Sequence, residues 1–210
     1  DIGFMGSEAS IYTYAEGAED YGVNFAQLTQ RAGNFLVGRK PEADFKWENL
    51  LGTKVLGGRA GGMPQMVFEY ILKKNGIDPK TDLTIDQSIS FGLTAAAFTN
   101  DDSDYTVEFE PFATSLEEEG AGYVVASLGT DSGYVPYTAY CAKKSYLEQN
   151  PEIIQKFTNA IQKGLDYVNS HTPEEIAETI QPQFKETKVD TIATLSLIHI
   201  SEPTRPISIA

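Results

Sequence analysis

The segment KVLGGRAGGMPQMVFEYILKK, residues 54–74, places a short apolar strand, a glycine-rich turn and an amphipathic helix directly after one another. A helix that begins where a strand ends is a βα unit, and such units pack helices over the faces of a sheet. The unit therefore predicts an α/β fold, with Gly76 as the residue that ends the helix. The apolar residues of this helix share one face: Met66, Val67, Tyr70 and Ile71.

Strand-like and helix-like segments alternate along most of the chain, which predicts α/β layering with a largely parallel sheet in each of two lobes. Residues 40–44 form a polar break that marks a possible lobe boundary. Strands are predicted at residues 1–5, 23–29, 34–37, 54–56, 83–85, 105–109, 122–128 and 137–142. Helices are predicted at residues 8–14, 64–74, 92–98, 111–118, 151–168 and 173–180, with a short helix near residue 47.

The C-terminal helices carry recognisable start signals. Asn150 precedes Pro151, so its side chain is predicted to cap the longest helix. Thr172 and Glu175 have the spacing of a capping box. Residues 195–210 lack such a pattern and resemble the translated read-through of a sequencing adapter, so we predict a non-native tail that takes no part in function. A genuine proline-rich extension is the alternative.

The charge of the chain restricts its partners. Thirty acidic residues against sixteen basic ones give a net charge of -14. A surface of this sign repels the phosphates of nucleic acids and anionic lipids, so we expect no nucleic-acid partner. No apolar run approaches the roughly 18 residues of a membrane span.

Cysteine and histidine are too scarce to build common metal or redox sites. Cys141 is the single cysteine, which excludes an intramolecular disulfide framework. His171 and His199 are the two histidines, and their spacing matches no compact ligand cluster. We therefore expect neither a metal nor another cofactor.

The glycine-rich turn is the clearest candidate binding loop. It reads Gly-Gly-Arg-Ala-Gly-Gly-Met-Pro over residues 57–64, between a strand and a helix start. Glycines allow a ligand to approach the main chain closely, and a helix start offers unpaired N–H groups, which favours an anionic or strongly polar ligand. The pattern matches neither a P-loop nor the dinucleotide fingerprint. A tight connection without a ligand is the alternative. The candidate contacts are Arg59, Gly61, Gly62 and Met63.

Two further strand ends carry polar residues. Ser7 and Glu8 follow the first predicted strand, and Glu110 follows the strand at residues 105–109. Ligands of open α/β sheets gather at the carboxyl ends of strands, although Ser7 could equally serve to cap the helix behind it. No catalytic triad can be assembled from these residues, and no spacing marks an acid–base pair.

Five segments together resemble the NMT1/THI5-like group of ABC substrate-binding proteins, which is related to the nitrate, sulfonate and taurine binding proteins. The resemblance covers residue 1 to about residue 184, and the segments occur in the order of the family. They are DIGFMGSEASIY, NFLVGR, WENLLGTKVLGGRAGGMPQMVFEYILKKNGIDP, EPFATSLEEEGAGYVVASLG and VPYTAYCAKKSYLEQNPEIIQKFTNAIQKGLDYV.

The resemblance implies the type II periplasmic binding protein fold, with two α/β lobes and the ligand between them. Residues 1–39 and 137–194 would form the first lobe, residues 40–136 the second, and residues 195–210 the non-native tail. The signal peptide and the opening part of the first lobe have no counterpart, so we expect an incomplete first lobe. The resemblance adds Tyr137, near a crossover, to the residues that shape the ligand cleft.

The function implied is capture of a small polar or anionic solute, such as a sulfonate, nitrate or a pyrimidine, for an ABC importer. The partners would be this solute, the ABC permease and its ATPase, outside the cytoplasm, with a lipid anchor or the permease as the link to the membrane. Two alternatives remain: an enzyme on the same fold, such as a thiamine-pyrimidine synthase, and the effector domain of a transcription regulator. The cysteine-rich motif of the synthases has no counterpart here, which disfavours the enzyme.

Overall fold

The computed structural model describes residues 1–90 and 92–200, with side chains through residue 196. The strands are β1 (Ile2–Gly6), β2 (Gly22–Thr29), β3 (Asn34–Gly38), β4 (Lys54–Leu56), β5 (Thr84–Asp86), β6 (Tyr105–Phe109), β7 (Tyr123–Ser127) and β8 (Thr138–Lys143). The helices are α1 (Glu8–Ala15), α2 (Met63–Lys74), α3 (Thr94–Asn100), α4 (Phe112–Glu118), α5 (Leu128–Ser132), α6 (Lys144–Gln149), α7 (Pro151–Ser170), α8 (Pro173–Ile180) and α9 (Val189–Ile200). Short 3-10 turns occupy Trp47–Leu50 and Gln181–Gln183.

The chain divides into two compact units. The first contains residues 1–30 and the chain from Thr138 onward, and the second contains residues 31–137. Both units combine helices with a sheet, so the predicted α/β class with two lobes is confirmed. No helix in the described part of the chain has the length and apolar character needed to cross a lipid bilayer.

The sheet of the first unit has the order β1-β8-β2 and is antiparallel throughout. The predicted parallel sheet is therefore wrong for this unit. The segment β1-α1-β2 is a βαβ unit whose two strands point the same way, but β8 lies between them and runs in the opposite direction, with Cys141 opposite both Gly3 and Asn24. β8 enters only after the chain has passed through the second unit, so no short βα connection fixes its direction.

Aromatic rings attach the longest helix, α7, to this sheet. The ring of Phe157 lies 6.1 Å from that of Phe25 on β2 and 4.9 Å from that of Tyr140 on β8, both near edge-on. The capping box of α8 is confirmed, because the amide of each of Thr172 and Glu175 donates a hydrogen bond to the side chain of the other. The predicted side-chain cap of Asn150 is wrong: its Nδ2 donates backwards to the carbonyl of Tyr146.

The sheet of the second unit has the order β5-β4-β6-β3-β7. β4 is parallel to both β5 and β6, while β3 is antiparallel to both β6 and β7. β3 was predicted with the first lobe, in residues 1–39, but its ladder with β6 and β7 places it in the second unit. The change of unit falls after residue 30 because β3 makes its backbone hydrogen bonds with β6 and β7 of that sheet.

Helices cover both faces of this second sheet. On one face, the fully buried Phe68 and Ile71 of α2 pack with Trp47 and the strand residue Leu36. On the opposite face, the core includes Val37, Leu56, Phe98, Ala113 and Leu116. Leu36 and Val37 are adjacent in β3, so their burial on opposite faces follows the alternation of side chains along a strand.

The tail predicted at residues 195–210 overlaps the end of α9, which continues to Ile200, and residues 201–210 lie outside the described part. The buried residues of α9, Ile192 and Ala193, pack on Ala177 and precede the tail.

We therefore expect deletion of residues 195–210 to change the melting temperature by less than about 2 °C, as for surface changes of under 0.5 kcal/mol. Deletion from Val189 onward, which removes Ile192 and Ala193, serves as the comparison and should clearly lower the melting temperature. An equal loss in both variants would contradict the prediction.

Candidate functional site

The connections that follow the strands of the second unit meet at one edge of its sheet. Since β4, β5 and β6 are parallel, the loops that follow Leu56, Asp86 and Phe109 all leave from the same edge. The antiparallel β3 begins at this edge, because Asn34 pairs with Phe109. Carboxyl ends of strands are the usual ligand sites of open α/β sheets. We call this edge of the second unit the loop edge.

The glycine-rich loop at residues 57–62 folds by hydrogen bonds of its own. Gly61 donates its N–H to the side chain of Gln65, and Gly62 donates to the carbonyl of Arg59. Gly58 and Gly61 have φ of 81° and 75°, a region that side-chain-bearing residues rarely adopt. The predicted contacts Gly61 and Gly62 therefore shape the loop, and their amides are already engaged within it.

The helix α2 that follows has donors at its first turn that no described residue pairs. Gly62 is the N-cap residue, in an extended conformation, and Pro64 has no N–H to offer. The amides of Met63 and Gln65 are thus the first-turn donors of the kind that bind anions. The side chain of Met63 is half-buried and packs on the core beneath α2, so this residue would contact a ligand through its main chain.

Arg59 is exposed on the loop and forms no ion pair with another described residue. Its guanidinium is therefore available to a ligand as a fork of N–H donors that matches a carboxylate, sulfonate or phosphate. A positive charge on an exposed loop also attracts anions at longer range. The loop thus offers one exposed cation beside the fixed dipoles of a helix start.

The other predicted residues of this unit have structural partners. Glu110 accepts a hydrogen bond from the amide of Thr114 at 3.0 Å, so its carboxylate pairs one of the N–H groups in the first turn of α4. Tyr137 is buried, and its hydroxyl donates to Oδ1 of Asn34 at 3.2 Å. The amide nitrogen of Asn34 is buried without an acceptor in the described part of the chain. Tyr137 therefore orients a donor group that sequence reasoning had not identified.

Glu108 is the second residue that sequence reasoning missed. It is 2% exposed, and its two carboxyl oxygens accept hydrogen bonds from Thr106 at 2.6 Å and from Thr94 at 3.0 Å. Burial raises the pKa of this carboxyl above its usual value, although the two threonine hydroxyls oppose that rise. The signal in the sequence was a charged residue inside the otherwise apolar end of strand YTVEF.

A cavity of about 10 Å³ lies beside Glu108 at the loop edge. That volume holds about one water molecule. Three connections contribute to its walls, because Gly58 comes from the glycine-rich loop, Gly92 from the loop after β5, and Phe112 from the start of α4. The other described residues that line it are Pro64, Thr94, Val107, Glu108 and Phe109.

Ser7 and Glu8 lie in the first unit, after β1. Of the two roles left open for Ser7, the side-chain cap is not seen: Ser7 takes the N-cap position of α1 without a side-chain cap bond, while its carbonyl accepts hydrogen bonds from the side chains of Ser10 and Asn24. Glu8 is buried with its carboxylate folded over Gly6, and its Oε2 has no hydrogen-bond partner in the described residues. A buried, unsatisfied oxygen makes Glu8 the stronger candidate of the two for a ligand contact.

Glu108 gives a testable dependence of stability on pH. Its pKa is raised in the folded state, so the folded protein binds the proton more tightly than the unfolded chain does. The stability that this group contributes is therefore fully present below its ordinary pKa of 4.5. It is lost as the pH rises through the higher pKa of the folded state. We expect Glu108→Gln to remove this loss, so that its melting temperature relative to the parent increases from pH 4 to pH 8. Thermal unfolding followed by circular dichroism measures the difference. The exposed Glu118→Gln is the matched control, and the same curve in both variants would contradict the expectation.

Comparisons of the sequence and of the structure with known proteins agree on one family. Residues 37–182 match the sequence profile of the NMT1-like family. A protein of Bacillus subtilis, YtlA, whose name describes it as a candidate binding protein, is 47% identical over 194 residues, which is 92% of this chain. The chain spans 58% of the length of YtlA.

Solved structures share the fold at low sequence identity. The alkanesulfonate-binding protein SsuA of Xanthomonas axonopodis, bound to MOPS, matches with a TM-score of 0.79 and 16% identity, over 100% of this chain and 68% of that one. The periplasmic nitrate-binding protein NrtA of Synechocystis matches with a TM-score of 0.70 and 15% identity, over 93% of this chain and 55% of that one. At these identities the likeness establishes the periplasmic binding protein fold.

Proposed function

The chain belongs to the NMT1-like family, and we propose that it is the solute-binding component of an ABC importer, which captures a small polar solute and does no chemistry on it. The observation that carries the proposal is the convergence of three strand ends, a glycine-rich loop and a helix start at the loop edge of the second unit. The similarity to YtlA, named as a candidate binding protein, and to the binding proteins SsuA and NrtA supports it.

The loop edge suits a solute with an acidic or strongly polar group. The first-turn amides of α2 present partial positive charge, and the exposed Arg59 adds a full positive charge. The buried amide nitrogen of Asn34 offers a further donor at the same edge. Fixed dipoles and one exposed cation bind a sulfonate, nitrate or carboxylate without an enzyme's nucleophile.

Binding is favoured over catalysis by the groups present at this edge. The carboxylates there are already held by hydrogen bonds, Asp86 by Ser88, Glu108 by two threonines and Glu110 by a helix amide. Cys141 lies on β8 in the first unit, where burial raises the pKa of its thiol and so disfavours the reactive thiolate. The hydroxyls of Ser88 and Thr94 donate to the carboxylates of Asp86 and Glu108 at this edge, and among the described residues no histidine of the second unit stands beside them as a general base.

The partners follow from the proposed role. An importer's binding protein delivers its solute to a membrane permease, which an ATPase drives, and it works outside the cytoplasm. We therefore propose an extracytoplasmic location, with the permease and its ATPase as protein partners. The net charge of -14 fits neither a nucleic acid nor an anionic lipid surface as a further partner.

A thermal-shift panel tests the proposal directly. The 210-residue chain would be melted with ethanesulfonate, nitrate, aminopyrimidine and riboflavin, one at a time. A solute at 100 times its dissociation constant stabilises the protein by about 2.7 kcal/mol, which raises the melting temperature of a chain of this size by about 5 to 10 °C. Sodium chloride at equal ionic strength is the control. No shift with any of the four would contradict solute capture by this chain.

A further inference from the structure

The side chain of Gln65, in the first turn of α2, connects the glycine-rich loop to the next turn of the helix. Its Oε1 accepts the N–H of Gly61 at 2.5 Å, and its Nε2 donates to Oε1 of Glu69 at 2.5 Å. These partners fix the orientation of the amide group, because an N–H donor must face its oxygen and a carboxylate must face its nitrogen. Lys73 donates to the other carboxyl oxygen of Glu69 at 3.5 Å. We call the two hydrogen bonds of Gln65, to Gly61 and to Glu69, the glutamine bridge.

The bridge supports a loop whose backbone is otherwise costly to order. Gly58 and Gly61 have φ of 81° and 75°, and glycines lose more conformational freedom on ordering than other residues do. Within the turn, Gly62 donates its N–H to the carbonyl of Arg59, and Gly61 lies between these two residues. The bond from Gly61 to Gln65 therefore ties the middle of the turn that carries Arg59 to the helix that supplies the first-turn amides.

We infer that Gln65 is a positioning residue for solute binding and that Glu69 holds Gln65 in place; the inference rests on the proposed function. The bridge orders the loop before the solute arrives, so that binding does not have to order it. A glutamine that only filled the place of a solute anion at Gly61 would be released on binding and would need no second partner. The carboxylate of Glu69 fixes the far end of the amide group, which favours the positioning role.

Hydrogen exchange of the Gly61 amide tests the bridge in the free protein. We would measure by NMR the rate at which this amide exchanges with water in the isotope-labelled 210-residue chain. Loss of one hydrogen bond changes an equilibrium about two- to tenfold, so Gln65→Leu should accelerate the exchange by that factor. Gln65→Asn has a side chain too short to reach both partners, so it should act alike and serves if the leucine variant fails to fold. Gln155→Leu is the matched control, because Gln155 donates to Asn159 at 2.8 Å in the same i,i+4 arrangement on α7.

Calorimetry tests the consequence for binding, with the tightest binder among ethanesulfonate, nitrate, aminopyrimidine and riboflavin. Gln65→Leu should weaken its binding about two- to tenfold, while Gln155→Leu keeps the affinity of the parent protein. Glu69→Gln retains an oxygen that can accept from Gln65, whereas Glu69→Leu does not, so the leucine variant should bind about two- to tenfold more weakly than the glutamine variant. Both Glu69 variants lose the same charge, so the comparison between them isolates the hydrogen bond.

The other outcomes decide against the inference. An unchanged exchange rate of Gly61 in both Gln65 variants would contradict the bridge and leave the proposed function standing. Faster exchange with unchanged affinity would make the bridge a local support of α2 alone. Tighter binding by Gln65→Leu would mean that Gln65 occupies the place of the solute. Binding of none of the four probes by the parent protein would contradict the proposed function, and the inference would fall with it.

Discussion

Replacing Arg59 by alanine should weaken solute binding about ten- to a hundredfold, because it removes a charge-assisted hydrogen bond of about 1.5–3 kcal/mol. Arg59 is exposed and forms no ion pair with a described residue, so the substitution leaves no buried group unsatisfied and should not change the melting temperature of the free chain. Calorimetry with the tightest-binding member of the thermal-shift panel measures the loss.

Two variants make this result interpretable. Lys80→Ala removes a positive charge from another exposed position of the second unit, so it reports the effect of net charge alone. Gly62→Ala tests the loop itself, because Gly62 has an ordinary extended conformation that alanine can adopt, with the carbonyl oxygen of Arg59 3.3 Å from the added Cβ. Gly61 is a poorer choice, since its φ of 75° would strain any side chain. Unchanged affinity in both Arg59→Ala and Gly62→Ala would make the loop a simple connection.

Replacing Phe68 by alanine should cost about 3–5 kcal/mol of folding free energy, the range for a large aromatic ring deleted from a core. Phe68 is fully buried on α2, and the centre of its ring lies 6.3 Å from that of Trp47. Its ring also lies beside Gly57, where the glycine-rich loop begins. The melting temperature should fall by about 6 to 20 °C. Thermal unfolding followed by circular dichroism measures the change.

The exposed Tyr70→Ala on the same helix is the matched control, and it should change the melting temperature by less than about 2 °C. Phe68→Leu keeps most of the buried volume and remains measurable if the alanine variant fails to fold. Because Phe68 supports α2 from the core side, solute binding by the leucine variant should persist below its melting temperature. An equal effect of Phe68→Ala and Tyr70→Ala would contradict the described packing of α2.

The local pattern of the chain predicted most elements closely. The strand at residues 54–56 and the strand at residues 105–109 have the predicted bounds, and α2 begins one residue before its predicted start. The period of apolar residues, glycines with positive φ and prolines at helix starts all act within a few residues, so they can be read from the sequence. The short helices α5 and α6 were missed because neither is long enough to show a period.

The candidate site was only partly predictable. The sequence identified the glycine-rich loop and the strand ends, since strand, glycines and helix start are adjacent in the chain. It did not show that Gly61 and Gly62 use their amides within the loop, or that Glu110 is held by the amide of Thr114. Asn34 and Glu108 became candidates only through their burial, which depends on neighbours that lie far away in the chain.

The sequence by itself determined the α/β class, the position of most helices and strands, and the loop that begins α2. The tertiary structure alone decided that β3 joins the second sheet, that β8 enters the first sheet antiparallel, and that Glu108 lies buried beside a small cavity. The physical reason is the range of the interactions. Backbone period and turn chemistry act between neighbours in the chain, whereas strand pairing and burial depend on segments that are brought together only when the whole unit folds.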